Sequence, residues 1–353
     1  VFIIGGAEIY KLALETLNIA RAIITEVYLT EKKDMARFDK FFPEYDPVKW
    51  IVGPNKLILT HVSPFNSENC ASDAAIAAQP IYYRYLEYKT NVPPGLEWKS
   101  DEKTQYLDIM QRIVNEGQEC IDRTQVGTLS IFSTMQRYNL MDTFPLSTTK
   151  RMFFRAIFEE LALYLSGKTD NAILQAKNIH IWDGNTSRAF LDGRGLHEYP
   201  EGDMGETYGF NFRHYGGKYV NCKTDYPLDG TVGFDQIENL VKLLRTDPTS
   251  RRMIINLWNP ATQHRAALPA CLMMYQFYVN AQSKTLNCQI YLRSSDYFLA
   301  NNWNTCTGAL LVHMLCMMEG INLIPGELTV ITGDTHIYRT HLKQVNENLQ
   351  RVP

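Results

Sequence analysis

The sequence predicts two domains, a short α/β piece followed by a larger α+β domain. Three observations carry this. At 353 residues the chain is longer than one hydrophobic core usually serves. A cluster of structure breakers, Thr90-Asn91-Val92-Pro93-Pro94-Gly95, divides it, leaving residues 1–90 before a linker at 91–98 and residues 99–353 after it. In the longer part, runs of period-two alternation are interspersed with runs at helical spacing.

Composition excludes several classes of function. Lys and Arg total 35 against 38 Asp and Glu, a formal net charge of -3, which gives no basis for a general nucleic-acid or membrane-surface binder, so any anion site must be local. The seven cysteines are odd in number and contain no C-x-x-C pair. This argues against a disulfide framework and against a structural zinc site, and it favours a reducing, cytoplasmic compartment; no metal is expected. The longest apolar run, Ala309 to Met318, is interrupted by His313 and is too short to span a bilayer; it predicts a buried helix between Gly308 and Gly320. Residue 1 falls directly into an apolar strand and the chain stops without a terminal element, so both ends read as cut.

In chain order, Val1-Phe2-Ile3-Ile4, Gly5-Gly6 and Ala7 to Ala13 read as strand, glycine turn and helix, a junction at which backbone can approach a phosphate. Strands are predicted at Ile23 to Thr30, Leu57 to Val62 and Ile81 to Tyr88. After the linker, apolar spacing predicts a helix over Thr104 to Glu116 and a strand over Thr128 to Phe132. Thr148-Thr149-Lys150-Arg151 is expected to cap a helix from about Met152 to Leu165. On that helix Phe153, Phe154, Ile157, Leu161, Tyr164 and Leu165 form one apolar face, with Glu160 at its edge and Glu159 nearly opposite. A carboxylate so placed either pairs with an arginine or snorkels, or it is a desolvated acid–base group.

Ile181 to Asn185 reads as a turn with an aromatic ring beside polar groups, and Gly205 to Tyr215 as an irregular aromatic and polar segment. Arg251-Arg252 precede the apolar strand Met253 to Trp258; such a pair is either solvated or fits a phosphate. Cys271 stands between a proline-containing loop and an apolar strand, either an inert core thiol or a nucleophile held beside a substrate. In Leu286 to Arg293 the alternation is clean, with Arg293 on the polar face. His336 and Tyr338, two apart, share one side if extended.

The blocks Asp122-Arg123-Thr124, Thr148 to Arg151, Glu159-Glu160-Leu161, Ile181 to Asn185, Tyr208-Gly209-Phe210, Arg251-Arg252, Trp258-Asn259-Pro260, Leu268 to Cys271, Gln276-Phe277-Tyr278, Arg293 to Asp296 and Gly333 to Tyr338 resemble thymidylate synthase, in that family's order. Upstream, Ile3 to Tyr10, Val27 to Thr30 and Phe38 to Pro43 resemble the C-terminal half of a dihydrofolate reductase, so the whole is similar to the bifunctional fusion of the two. The resemblance implies the thymidylate synthase fold, a mixed sheet with packed helices, and reductive methylation of dUMP to dTMP, with 5,10-methylenetetrahydrofolate as donor of carbon and hydride. By the same resemblance Cys271 is the nucleophile, Glu160 relays protons through water, and Tyr208 assists removal of the C5 proton. Arg123, Arg293 and Ser294, with Arg251 and Arg252 of a partner subunit in a homodimer, bind the phosphate; Asn304 reads the uracil, and His336 and Tyr338 hold the ribose. Ile181, Trp182, Asn185, Asp296 and Leu299 position the folate, and Ile4, Gly5, Gly6, Tyr10 and Thr30 lie toward NADPH in the partial reductase domain.

The chain departs from the family at Leu272, where His follows the nucleophile, and at Leu292, where Gln precedes the arginine. It departs again through Ala300 to Gly308, where the family reads Gly-Val-Pro-Phe-Asn-Ile-Ala-Ser-Tyr. A closing C-terminal segment is expected beyond Pro353. Two further readings accompany the first: a dUMP or dCMP hydroxymethylase on the same fold, and a catalytically weak nucleotide-binding homologue.

Overall fold

In a computed structural model, the structure describes residues 21–28, 50–52, 82–90, 100–121 and 126–353. The chain divides into two compact units, Val1–Glu97 and Trp98–Pro353. In the first, β1 (Arg21–Tyr28), β2 (Trp50–Val52) and β3 (Tyr82–Thr90) form an antiparallel sheet in the order β1-β3-β2. The strands predicted at Ile23 to Thr30 and Ile81 to Tyr88 correspond to β1 and β3. The predicted strand at Leu57 to Val62 and the Gly5-Gly6 turn lie outside the described residues, as do Ile4, Tyr10 and Thr30.

The second unit is built on a sheet of β4 (Gln118–Cys120), β5 (Thr128–Asn139), β6 (Ile254–Asn256), β7 (Leu272–Asn280), β8 (Thr285–Asp296) and β9 (Ile324–Tyr338). Their order is β4-β5-β9-β8-β7-β6, and all pairings are antiparallel except the parallel β8–β9 pair, so the sheet is mixed. The alternation read in β8 is realised: Leu286, Cys288, Ile290 and Leu292 are buried, while Asn287, Gln289, Tyr291 and Arg293 keep partial exposure on the other face. β5 runs past the predicted end at Phe132. Ser133, at φ 64°, interrupts the alternation there, and pairing resumes from Thr134.

Among the helices are α1 (Asp108–Glu116), α2 (Phe154–Leu165), α3 (Asp183–Thr186), α4 (Tyr208–Arg213), α5 (Gln236–Thr246), α6 (Asn301–Cys316) and α7 (Leu342–Leu349). Helix α2 buries Ala156, Leu161, Leu163 and Tyr164 in the main core, with Ile290, Leu292, Leu328 and Val330 of the sheet in the same cluster. Helix α1 joins Tyr297, Ile337 and Val345 in a second core. The buried helix expected from Ala309 begins earlier, at Asn301, because Gly308 continues it. Eleven of its 16 residues are buried, polar Asn301, Asn302, Thr305 and Thr307 among them, so its first turns carry no amphipathic pattern. A Cβ at Gly308 would lie 3.2 Å from Leu328 Cδ1 and 3.5 Å from Ile290 Cγ2, so the missing side chain lets α6 lie close on β8 and β9.

The expected cap of α2 is corrected. Phe153 stands at the N-cap without a side-chain bond, and the hydroxyls of Ser147, Thr148 and Thr149 instead donate to Glu102.

Candidate active site

Cys271 ends the loop that enters β7, half-buried, and Arg293 of the neighbouring β8 shapes that loop. Arg293 Nε donates to Ala270 O at 2.8 Å and Nη2 to Pro269 O at 3.2 Å, with the same Nη2 3.7 Å from Cys271 Sγ. The Arg293 backbone N–H donates to Cys271 O at 2.9 Å, and its guanidinium lies 5.4 Å from the centre of the Trp258 ring. One arginine thus fixes the loop through its fork and sets a positive charge beside the sulfur, where it stabilises a thiolate. Its Nη1 hydrogen-bonds no described residue, which leaves a pair of donors for an oxyanion.

From the other side, Tyr208 at the start of α4 accepts the Cys271 backbone N–H at 2.8 Å and that of Leu272 at 3.4 Å. Its ring packs on Tyr164, centroids 5.1 Å apart. Burial pushes the Tyr208 hydroxyl well above the ordinary phenol range, with the nearby Cys271 charge acting the same way, so it stays protonated. The Tyr164 hydroxyl donates to Glu160 Oε1 at 2.9 Å, one helical turn away on α2.

Glu160 is buried, as its place at the edge of the apolar face predicts, while Glu159 pairs at the surface with Lys177. It neither snorkels nor pairs with an arginine. Trp182 Nε1 donates to Oε1 and Trp303 Nε1 to Oε2, both at 2.7 Å. Burial raises the Glu160 carboxyl above its ordinary value, partly offset by the donors from Trp182, Trp303 and Tyr164. Tyr164 and Trp303 were missed by sequence reasoning. The signal for Tyr164 was its position four residues after Glu160; for Trp303, on α6, there was none.

The parallel β8–β9 pairing brings a second group together. Ser294 lies opposite Asp334, and Asp296 opposite His336. Ser294 Oγ is 3.5 Å from His336 Nδ1, which is 2.8 Å from Asp334 Oδ1; Ser130 Oγ donates to that same oxygen at 3.0 Å. The His336 bond holds the Asp334 carboxyl below its usual range. Tyr338 meets His336 edge-on at 5.3 Å, as their shared side in an extended strand predicts. Arg293, Ser294, His336 and Tyr338 therefore project from adjacent strand ends.

Asn304, half-buried on α6, donates to Ala300 O at 3.0 Å. The segment Ile181 to Asn185, read as a turn, leads into the short helix α3 with Trp182 at its N-cap. Trp182 is buried and Asn185 half-buried, whereas Ile181 and Leu299 are exposed. Asp296 Oδ1 accepts the Leu299 N–H at 3.0 Å. Arg251 and Arg252 are exposed in the turn before β6 and hydrogen-bond none of the residues around Cys271. Arg123 lies outside the described residues. Leu272 and Leu292, the two departures flanking Cys271 and Arg293, are cross-strand partners and both buried. Among the described residues no group of three or more His, Cys, Asp or Glu side chains could hold a metal ion. No helix among them is long and apolar enough to cross a membrane.

Residues 104–353 match the family described as thymidylate synthase. Over the whole chain, a bifunctional dihydrofolate reductase-thymidylate synthase of Arabidopsis thaliana is 37% identical, with 67% of its own length covered. The same named enzyme of Leishmania amazonensis is 37% identical with 63% covered, and that of Paramecium tetraurelia 36% identical with 70% covered, each across all of this chain. The chain thus spans about two thirds of the length of these relatives. The chain belongs to the thymidylate synthase family of methyltransferases, in the form joined to dihydrofolate reductase.

Proposed function

We propose that this chain converts dUMP to dTMP with 5,10-methylenetetrahydrofolate, using Cys271 as nucleophile and Glu160 as its acid–base group. The observation that carries the reading is one continuous path. The Cys271 N–H donates to Tyr208, the Tyr208 ring packs on Tyr164, and the Tyr164 hydroxyl donates to buried Glu160. Uracil is a poor carbon nucleophile at C5. Cys271 overcomes this by adding to C6, which places negative charge on O4 and makes C5 reactive. Arg293 stabilises the thiolate and offers Nη1 to the phosphate, joined by Ser294 and by Arg123. Glu160 moves protons through water at O4, and Tyr208 assists loss of the C5 proton. Asn304 reads the uracil edge, and His336 and Tyr338 hold the ribose. The folate cosubstrate supplies the carbon and the hydride.

For the folate, the fit rests on Ile181 and Leu299, aliphatic side chains left exposed, beside Trp182, Asn185 and Asp296. They suit the faces of an apolar ring system with polar edges. The reductase half, with NADPH near Gly5 and Gly6, is proposed from the relatives' names and acts only within the whole protein.

The same reading makes the protein a cytoplasmic homodimer in which Arg251 and Arg252 complete the partner's phosphate site. Strand register supports this: Met135, Ile331, Tyr291 and Met274 form a row across four strands, with Ile254 and Tyr278 on the same side. Met135, Ile254 and Tyr278 are exposed there, an apolar sheet face of the kind a second copy covers.

The test is tritium release from C5-labelled dUMP with product identification. Release that disappears in Cys271→Ser, with dTMP and dihydrofolate formed in equal amounts, is expected. Accumulating 5-hydroxymethyl-dUMP without dihydrofolate would replace this reading with the hydroxymethylase, which the family matches do not favour.

A further inference from the structure

The Glu160 carboxylate is held asymmetrically. Oε1 accepts two bonds, from Trp182 and Tyr164, whereas Oε2 accepts one, from Trp303 Nε1 at 2.7 Å. Trp182 and Tyr164 are buried; Trp303 is half-buried and stands next to Asn304 in the first turn of α6. We propose that Trp303 is a positioning residue for Glu160: its indole N–H favours the ionised carboxylate and aims Oε2, and it ties the acid–base group to the helix turn that carries Asn304. This rests on the role given to Glu160 above.

An indole nitrogen can only donate, so a proton on Oε2 would face another hydrogen across a 2.7 Å gap. Trp182 imposes the same restriction on Oε1, and of the three partners the Tyr164 hydroxyl alone can turn from donor to acceptor. Burial pushes Glu160 toward the neutral acid, and the donors oppose that push. Trp303 supplies the single opposing bond at Oε2, so removing it raises the carboxyl further. Because Glu160 and Trp303 come from helices far apart in sequence, the bond also fixes α2 against the start of α6. A ring of the same shape without the N–H would fill the space and lose both effects.

The test uses the full-length protein with Trp303→Phe, measuring C5 tritium release against pH and, separately, covalent capture of 5-fluoro-dUMP with methylenetetrahydrofolate on Cys271. The acid limb of release is expected to rise by about one pH unit, the scale of one charge-assisted hydrogen bond, while capture persists. An unchanged profile overturns the proposal. Absence of capture in the unmodified protein would instead defeat the underlying methyl-transfer reading, so the two failures are separable. If the Phe variant does not fold, the Trp303 Nε1–H resonance of the ¹⁵N-labelled unmodified protein is followed with pH. It is expected to titrate, and to stand still in Glu160→Gln; a resonance that does not respond in the unmodified protein overturns the proposal.

Discussion

Tyr208→Phe isolates the contact between the Cys271 loop and the rest of the site. In the native protein one phenolic oxygen accepts the Cys271 N–H at 2.8 Å and the Leu272 N–H at 3.4 Å. The first is a good bond and the second marginal. Phe keeps the ring that packs on Tyr164 but takes the phenolic acceptor away from the partly buried Cys271 amide. That costs about 1–3 kcal/mol. In a domain of this size each kcal/mol lowers Tm by about 2–4 °C, so a fall of about 2–12 °C is expected in calorimetry. The catalytic effect should exceed this. A sulfur released from its position by about 1 Å loses about 10²-fold in rate, which the rate of 5-fluoro-dUMP capture reads directly. A Phe variant with native Tm and native capture rate would refute the claim that Tyr208 holds Cys271.

Two further outcomes follow from other parts of the structure. Leu272 and Leu292 face each other in the core, so Leu272→His alone should destabilise the protein by about 1–3 kcal/mol in urea titration. Adding Leu292→Gln should recover part of that through a cross-strand bond, a coupling of about 0.5–2 kcal/mol; strict additivity would show that the two positions do not communicate. Glu102 is raised by burial, but its bonds from Ser147, Thr148 and Thr149 more than offset this and hold its carboxyl below the ordinary value of 4.5. A folded-state value below the unfolded one means that its contribution is complete above that pH and is lost as pH falls through the folded value. Glu102→Gln should therefore lower stability at neutral pH, and the gap from the unmodified protein should close in acid; a gap that persists at low pH contradicts the bonding.

Where polarity and periodicity coincide, the sequence was a good guide. The alternation in β8 placed Arg293 on the polar face, and the spacing in α2 put Glu160 at the edge of the apolar one. What it did not reveal were donors whose direction depends on tertiary packing. Tyr164 counted as an apolar face residue, although its hydroxyl reaches back one turn to Glu160. Trp303 meets Glu160 across 143 residues, beyond any local pattern. The start of α6 was hidden because its buried residues are asparagines and threonines, and β5 was cut short because Ser133 breaks the alternation. Thr148 and Thr149 have the composition of a helix cap, but Glu102 offers their hydroxyls a charged acceptor, which is the stronger bond.

The proposed reaction requires that Cys271 add to the pyrimidine while the folate is held beside it. Incubating the full-length protein with 5-fluoro-dUMP and 5,10-methylenetetrahydrofolate, then mapping peptides by mass, tests it most directly. A ternary covalent adduct is expected on the peptide containing Cys271, absent in Cys271→Ser. Full binding of both ligands with no adduct, or an adduct on another cysteine, would contradict it.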